Sequence, residues 1–168
     1  MIARKVMLLG EIGVGKSSLA RRLVFDQFEF DYKPTIGVDV YRYEVPDAPT
    51  RPQMTLIVWD TDGNFGDAIF RHVYMKEAAA ALIIGDLSRS PTLDCMAKLG
   101  AGFTEMFPGR HIGYIVNKTD LMPNPEAVPL PSELTRPGIS LLRTSAKSGD
   151  NVQDAFVDAA ASIARRGL

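Results

Sequence analysis

Glycines, a lysine and a serine at fixed intervals near the start of the chain have the spacing needed to hold phosphate. In Gly10-Glu11-Ile12-Gly13-Val14-Gly15-Lys16-Ser17, the interval from Gly10 to Gly15 followed by Lys16 and Ser17 is a phosphate-binding loop pattern. Glycines permit backbone angles that side chains forbid, so successive N–H groups can turn inward around one anion at a helix N-terminus. Lys16 can reach terminal phosphates, and the Ser17 hydroxyl can ligate magnesium. Asp60, at the end of an apolar run closing in Trp59, is placed to hold the same ion, usually through a water. The same glycine pattern occurs in turns that bind nothing, so its context decides.

That context is strand, loop, helix. Val6-Met7-Leu8-Leu9 reads as a buried strand, and Ser18 to Val24 has helical spacing of its apolar residues. Residues 25–35 read as an exposed loop in which Phe28, Phe30 and Tyr32 need explaining, Phe30 as an aromatic packed back on the body. Val38 to Val45 alternates with period two, a proline-rich turn follows, and Met54 to Trp59 can return antiparallel. Asp60 to Asn64 opens a polar loop, Ala68 to Ala78 can be helical, and Ala79 to Gly85 is a third buried strand. A helix opens at Pro91 and reaches roughly Met106, followed by a strand from His111 to Val116. Pro123, Pro125, Pro129, Pro131 and Pro137 then exclude a long helix from one connection, leaving at most a short turn around Ser132-Glu133-Leu134. Ser140 to Arg143 is the last strand. A final helix from Asn151 carries Val152, Ala155, Phe156, Ala159, Ala160 and Ile163 on one face.

Alternating strands and helices with unbroken apolar strands mean a mainly parallel sheet covered on both faces, with ligands beyond the carboxyl ends of the strands. A chain of 168 residues is expected to form one domain, 1–168. Its 46% hydrophobic and 23% charged residues and formal charge of −1 are ordinary globular composition and give no basic surplus for nucleic acid. The single Cys95 excludes a disulfide framework and reads as a buried, inert thiol. The first strand begins almost at once and no apolar run has the length of a membrane span, so a cytoplasmic location is expected. The sequence closes in Ala164 to Leu168 without a cysteine, so no lipid anchor is expected on this chain.

Two more clusters complete the pattern: Asn117-Lys118-Thr119-Asp120 and Thr144-Ser145-Ala146-Lys147, each after an apolar run. With Gly10 to Ser17, Pro34-Thr35-Ile36-Gly37-Val38-Asp39 and Trp59-Asp60-Thr61-Asp62-Gly63, they stand in the order and at the intervals of a small GTPase. Over essentially its whole length the chain resembles the Ras superfamily, and its Rab-type branch most. The resemblance implies a three-layer α/β/α P-loop NTPase fold. Its sheet would have six mostly parallel strands with one antiparallel, and the helix before the last strand would be shortened or missing.

The resemblance also implies GTP or GDP with Mg2+ as ligands, and effectors, an exchange factor and an activator as protein partners. It assigns nucleotide contacts to Gly13, Val14, Gly15, Lys16, Ser17, Ser18, Phe28, Tyr32, Thr35, Gly63, Asn117, Lys118, Asp120, Ser145, Ala146 and Lys147. Ser17, Thr35 and Asp60 would serve the metal, and Lys16, Thr35, Gly63 and Asn64 the catalysis. Asp120 offers a carboxylate to N1–H and the 2-amino group of guanine, a donor pair that adenine lacks. The Ala146 N–H would take the guanine carbonyl, the Lys118 and Lys147 stems would cover the base, and Phe28 would stack edge-on against it. Asn117 would tie the base loop to the phosphate loop. Thr35 and Gly63 would contact a third phosphate and release their loops when it leaves, a change that partners would read on strand 38–45 and the loops beside it.

Asn64 stands where the family places a water-orienting glutamine, Asp62 replaces an alanine, and Ile12 replaces a small residue. A shorter amide, added negative charge and a branched side chain all predict slow hydrolysis and resistance to an arginine-finger activator. In the bland alternative the second switch has shifted and Asn64 or another residue does the same work. Two functional alternatives also stay open. One is a catalytically impaired GTP-binding scaffold held in one state; the other is a small-molecule P-loop kinase, disfavoured by the guanine-reading clusters.

Overall fold

The apolar runs form a single sheet because each can bury side chains on both of its faces. The structure, a computed structural model, describes residues 1–28, 38–61 and 75–168. Expectations placed on Phe30, Tyr32, Thr35, Asp62, Gly63, Asn64 and the helix from Ala68 therefore lie outside the described residues. The elements are β1 (Ile2–Leu9), α1 (Lys16–Phe25), β2 (Val38–Glu44), β3 (Met54–Thr61), β4 (Ala78–Asp86), α2 (Ser90–Met106), β5 (His111–Asn117), β6 (Ser140–Arg143) and α3 (Val152–Arg165). Ala78, taken as the end of a helix, instead opens β4, where it is fully buried.

The sheet has six strands in the order β2-β3-β1-β4-β5-β6. β2 pairs antiparallel with β3, in a register that sets Tyr41 opposite Val58, and the other pairs are parallel. Alternation along β1 divides the core. Val6 and Leu8 face α1 and α3, packing with Leu19, Ala20, Phe156 and Ile163. Met7 and Leu9 face α2, packing with Leu93, Met96 and Phe103.

On that second face the proline-rich connection replaces a helix. It makes single 3-10 turns at Thr119–Leu121, Pro125–Ala127 and Ser132–Leu134, and drops Met122, Val128, Leu130 and buried Leu134 onto the α2 side of the core. Cys95 in α2 is only partly buried rather than buried; a hydrogen bond to Glu11, with burial, raises its thiol pKa. Among the described residues no helix is long and apolar enough to cross a membrane.

Two predictions follow from this packing. Leu134→Ala should cost about 2–5 kcal/mol in chemical denaturation, because the turn that carries Leu134 has no helix to hold it in place of that side chain. His111 opens β5 with its Nε2 buried and, among the described residues, unpartnered. Burial lowers its pKa, with Asp158 opposing and Arg166 and Arg165 adding to the shift. The unfolded chain therefore binds more protons than the native one between that lowered value and the usual 6.5, so stability falls on acidification through this window. A melting midpoint that drops between about pH 7.5 and 5.5, and drops less in His111→Gln, is the expected result.

Candidate nucleotide site

The sheet order reverses beside β1, and the loop Gly10 to Ser17 leaves the carboxyl end of that strand, where open α/β sheets form their crevice. Two of its glycines are required by close approach. A Cβ on Gly10 would stand 2.4 Å from the Ile84 carbonyl oxygen, and one on Gly15, at φ 103°, would stand 2.3 Å from Asn117 Nδ2. Lys16 is buried and its Nζ donates to the carbonyls of Gly10 (2.9 Å) and Glu11 (3.1 Å). On the side away from Lys16 Nζ, Arg89 Nη2 donates to Ile12 O (3.0 Å), Lys118 Nζ to Gly13 O (2.7 Å) and the buried Asn117 Nδ2 to Val14 O (3.1 Å).

Asn117 reaches in the other direction as well. Its Oδ1 accepts from Thr144 Oγ1 (3.0 Å) and from the Ala146 N–H (3.2 Å), so one buried carboxamide joins the phosphate loop to the loop after β6. Ser145 Oγ donates to Asp120 Oδ1 (2.7 Å) and accepts from the Ser148 N–H, which fixes Asp120 at the rim while leaving it exposed. Ser18 sits in the first turn of α1, Phe28 packs against the core, and Lys147 is exposed after the last strand. The structure thus brings Gly13 to Ser18, Asn117, Lys118, Asp120 and Ser145 to Lys147 to one end of the sheet.

Three residues of this constellation went unnoticed in the sequence. Asp86 pairs in register with Asn117, and its side chain is 1% exposed. It accepts from the Ser88 N–H and Oγ, from Arg89 Nε and from Lys118 Nζ. Burial alone would raise its carboxyl, but these bonds outweigh burial and hold it below its usual value. Arg22 in α1 donates to Ala146 O (2.8 Å) and Lys147 O, gripping the second loop from below. An acid closing an otherwise apolar strand was the available signal for Asp86; nothing local marks Arg22 or Arg89.

Asp60 is fully buried. Ser17 Oγ donates to its Oδ2, while Oδ1 has no partner among the described residues. Burial raises its carboxyl, against the Ser17 hydrogen bond and the Lys16 charge. A buried carboxylate oxygen left unpaired beside a serine hydroxyl fits a hard divalent cation such as magnesium. No cluster of three or more His, Cys, Asp or Glu suited to a metal occurs among the described residues, so Ser17, phosphate oxygens and water would complete its shell. Thr35, the third expected ligand, lies outside the described residues.

The chain is similar to known proteins. The family model described as Ras family matches residues 5–165. Ras-related protein Rab-32 of Mus musculus is 39% identical over 94 residues, 56% of this chain and 42% of that protein, so the chain spans about two fifths of that relative's length. Ras-related protein RABA6a of Arabidopsis thaliana is 34% identical over 158 residues, covering 91% of this chain and 66% of its own. For Ras-related protein Rab-31 of Rattus norvegicus the values are 32% over 156 residues, 90% and 78%.

Removing the Asn117 carboxamide strands Val14 O, Thr144 Oγ1 and the Ala146 N–H in a buried place. Asn117→Ala should lower unfolding free energy in urea by about 2–3 kcal/mol without any nucleotide present, and a loss under about 0.5 kcal/mol would contradict this account.

Proposed function

The chain belongs to the Ras family, whose members are small GTPases, and from that premise we propose that it is a magnesium-dependent GTP-binding switch that hydrolyses GTP slowly to GDP and phosphate. The observation that carries this reading is Asn117, which joins the loop after β1 to the loop after β6 and would so frame a ligand with phosphates at one end and a ring at the other. Asp120, its Oδ1 held by Ser145, offers guanine a carboxylate for two neighbouring donors. Phe28, Lys118 and Lys147 would border the base, and Ser18 would meet the phosphate nearest the ribose.

Phosphoryl transfer needs positioning and charge neutralisation more than covalent chemistry. Lys16 would exchange the carbonyls of Gly10 and Glu11 for phosphate oxygens. Ser17 and Asp60 would hold magnesium, which when bound neutralises charge on the phosphates. Thr35 and Gly63 would sense the third phosphate, Tyr32 would border it, and Asn64 would orient the attacking water. Ile12, its side chain exposed beside the loop, and Asp62 work against that water. Effectors and regulators would read β2 and the two flanking loops, in a single domain of the cytoplasm.

Single-turnover hydrolysis of magnesium-GTP by the purified chain tests this. Slow turnover, lost in Lys16→Ala and quickened on the order of tenfold by Asn64→Gln or Ile12→Gly, is expected. Tight GTP binding with no turnover would leave the scaffold reading instead, and equal affinity for adenine nucleotides would overturn the assignment of Asp120.

A further inference from the structure

A trans peptide is planar, so the carbonyl of one residue and the N–H of the next point in opposite directions. Side chains holding Ile12 O, Gly13 O and Val14 O outward therefore aim the N–H groups of Gly13, Val14 and Gly15 the other way, into the concavity. Asn117 and Lys118 do this for the second and third peptides and belong to a motif legible in the sequence. The first peptide is held by Arg89, which no motif includes.

We infer that Arg89 is a positioning residue for the phosphates: anchored on Asp86, it holds the Ile12 carbonyl outward and so directs the Gly13 N–H at the phosphate chain. This rests on the nucleotide reading of the site. The anchorage is complete at both ends of the residue. The Arg89 N–H donates to Asp86 O (2.9 Å), and Arg89 O accepts from Thr92 N (3.0 Å) and Thr92 Oγ1 (2.7 Å), so its backbone is pinned where α2 begins. Arg89 Nε donates to Asp86 Oδ2 at 3.0 Å while Nη2 spans to Ile12 O at 3.0 Å.

A planar fork with fixed donors can bridge a carboxylate and a carbonyl; one ammonium on a shorter stem cannot. Asp86 is prepared for the task. Its Oδ1 is taken by Ser88, and its Oδ2 receives both Arg89 and Lys118, so one buried carboxylate carries two cationic arms that grip consecutive peptides of the loop. Loss of Arg89 leaves the Asp86 and Lys118 pair intact and frees only the Ile12 peptide to turn.

The test compares GDP with GMP, which keeps the base and ribose but lacks the phosphate that reaches further into the loop. With magnesium present, Arg89→Met should weaken GDP about tenfold and GMP less than about twofold, measured by calorimetry or competition. Arg89→Lys, which keeps a charge beside Asp86, should show the same selective loss and carries the test should Arg89→Met not fold. Equal weakening of GDP and GMP with a lowered melting midpoint means a general structural role and overturns the inference, as does no change in either. A parent chain that binds no GDP overturns the reading of the site and this inference with it; a parent chain that binds GDP with an unchanged ratio in both variants overturns the inference alone.

Discussion

The carboxamide of Asn117 is the contact on which the site depends. A single buried side chain with two donors and a two-lone-pair acceptor satisfies a carbonyl of the loop after β1 and a hydroxyl and an N–H of the segment after β6. Those segments lie more than a hundred residues apart in sequence, and only the parallel arrangement of β1, β4, β5 and β6 delivers their ends to one edge. A hydrophobic side chain of similar volume would fill the space and leave three polar groups unpaired in a low-dielectric interior. The absence of a Cβ at Gly15 is the other half of the same constraint, since the amide passes where that atom would be.

The helix missing before β6 leaves this framework untouched because the core needs covering there, not a particular element. Leu134, Val128, Leu130 and Met122 are dispersed over short turns, yet they reach the same apolar surface that α2 covers with Leu93 and Phe103. Prolines suit such a path: each restricts φ and removes a donor that a turn would otherwise leave unpaired. Asp120 precedes the turns at Pro125 and Ser132, and Thr144 follows them, so the change of architecture lies between the two ligand loops and alters neither.

The fold was legible where apolar runs are continuous, as in β4, and where spacing is strongly helical, as in α3. It was less so where long polar side chains lie along strands. β1 begins at Ile2 rather than Val6, and Lys5 belongs to it because the stem packs while the ammonium sits 3.8 Å over the Trp59 ring and donates to Lys76 O. Within the site, the motif residues were legible because their spacing carries chemistry along the chain. Asp86, Arg89 and Arg22 were not, because what they do is defined by register across β4 and β5 and by contacts between elements distant in sequence. Cys95 is less buried than expected, while its contact with Glu11, on another element, raises the thiol's pKa in keeping with an inert thiol.

The two buried carboxylates of the site pose opposite electrostatic problems. Asp86 is supplied with every donor it can use, and the balance of burial against those bonds lowers its pKa, so its charge is stabilised within the protein itself. Among the described residues Asp60 has one donor and an oxygen without a partner, and burial raises its pKa, so its charge is costly unless a cation compensates it. The first carboxylate holds Arg89 and Lys118, which donate to carbonyls of the loop; the second would favour a cation beside Ser17. If the proposed nucleotide and cation bind here, a loop shaped in advance beside an unsatisfied carboxylate would concentrate the free energy of binding at the cation and the phosphates. In a Ras-family chain that is the end of the nucleotide that changes between GTP and GDP, and so the end where differential affinity can be converted into a change of surface.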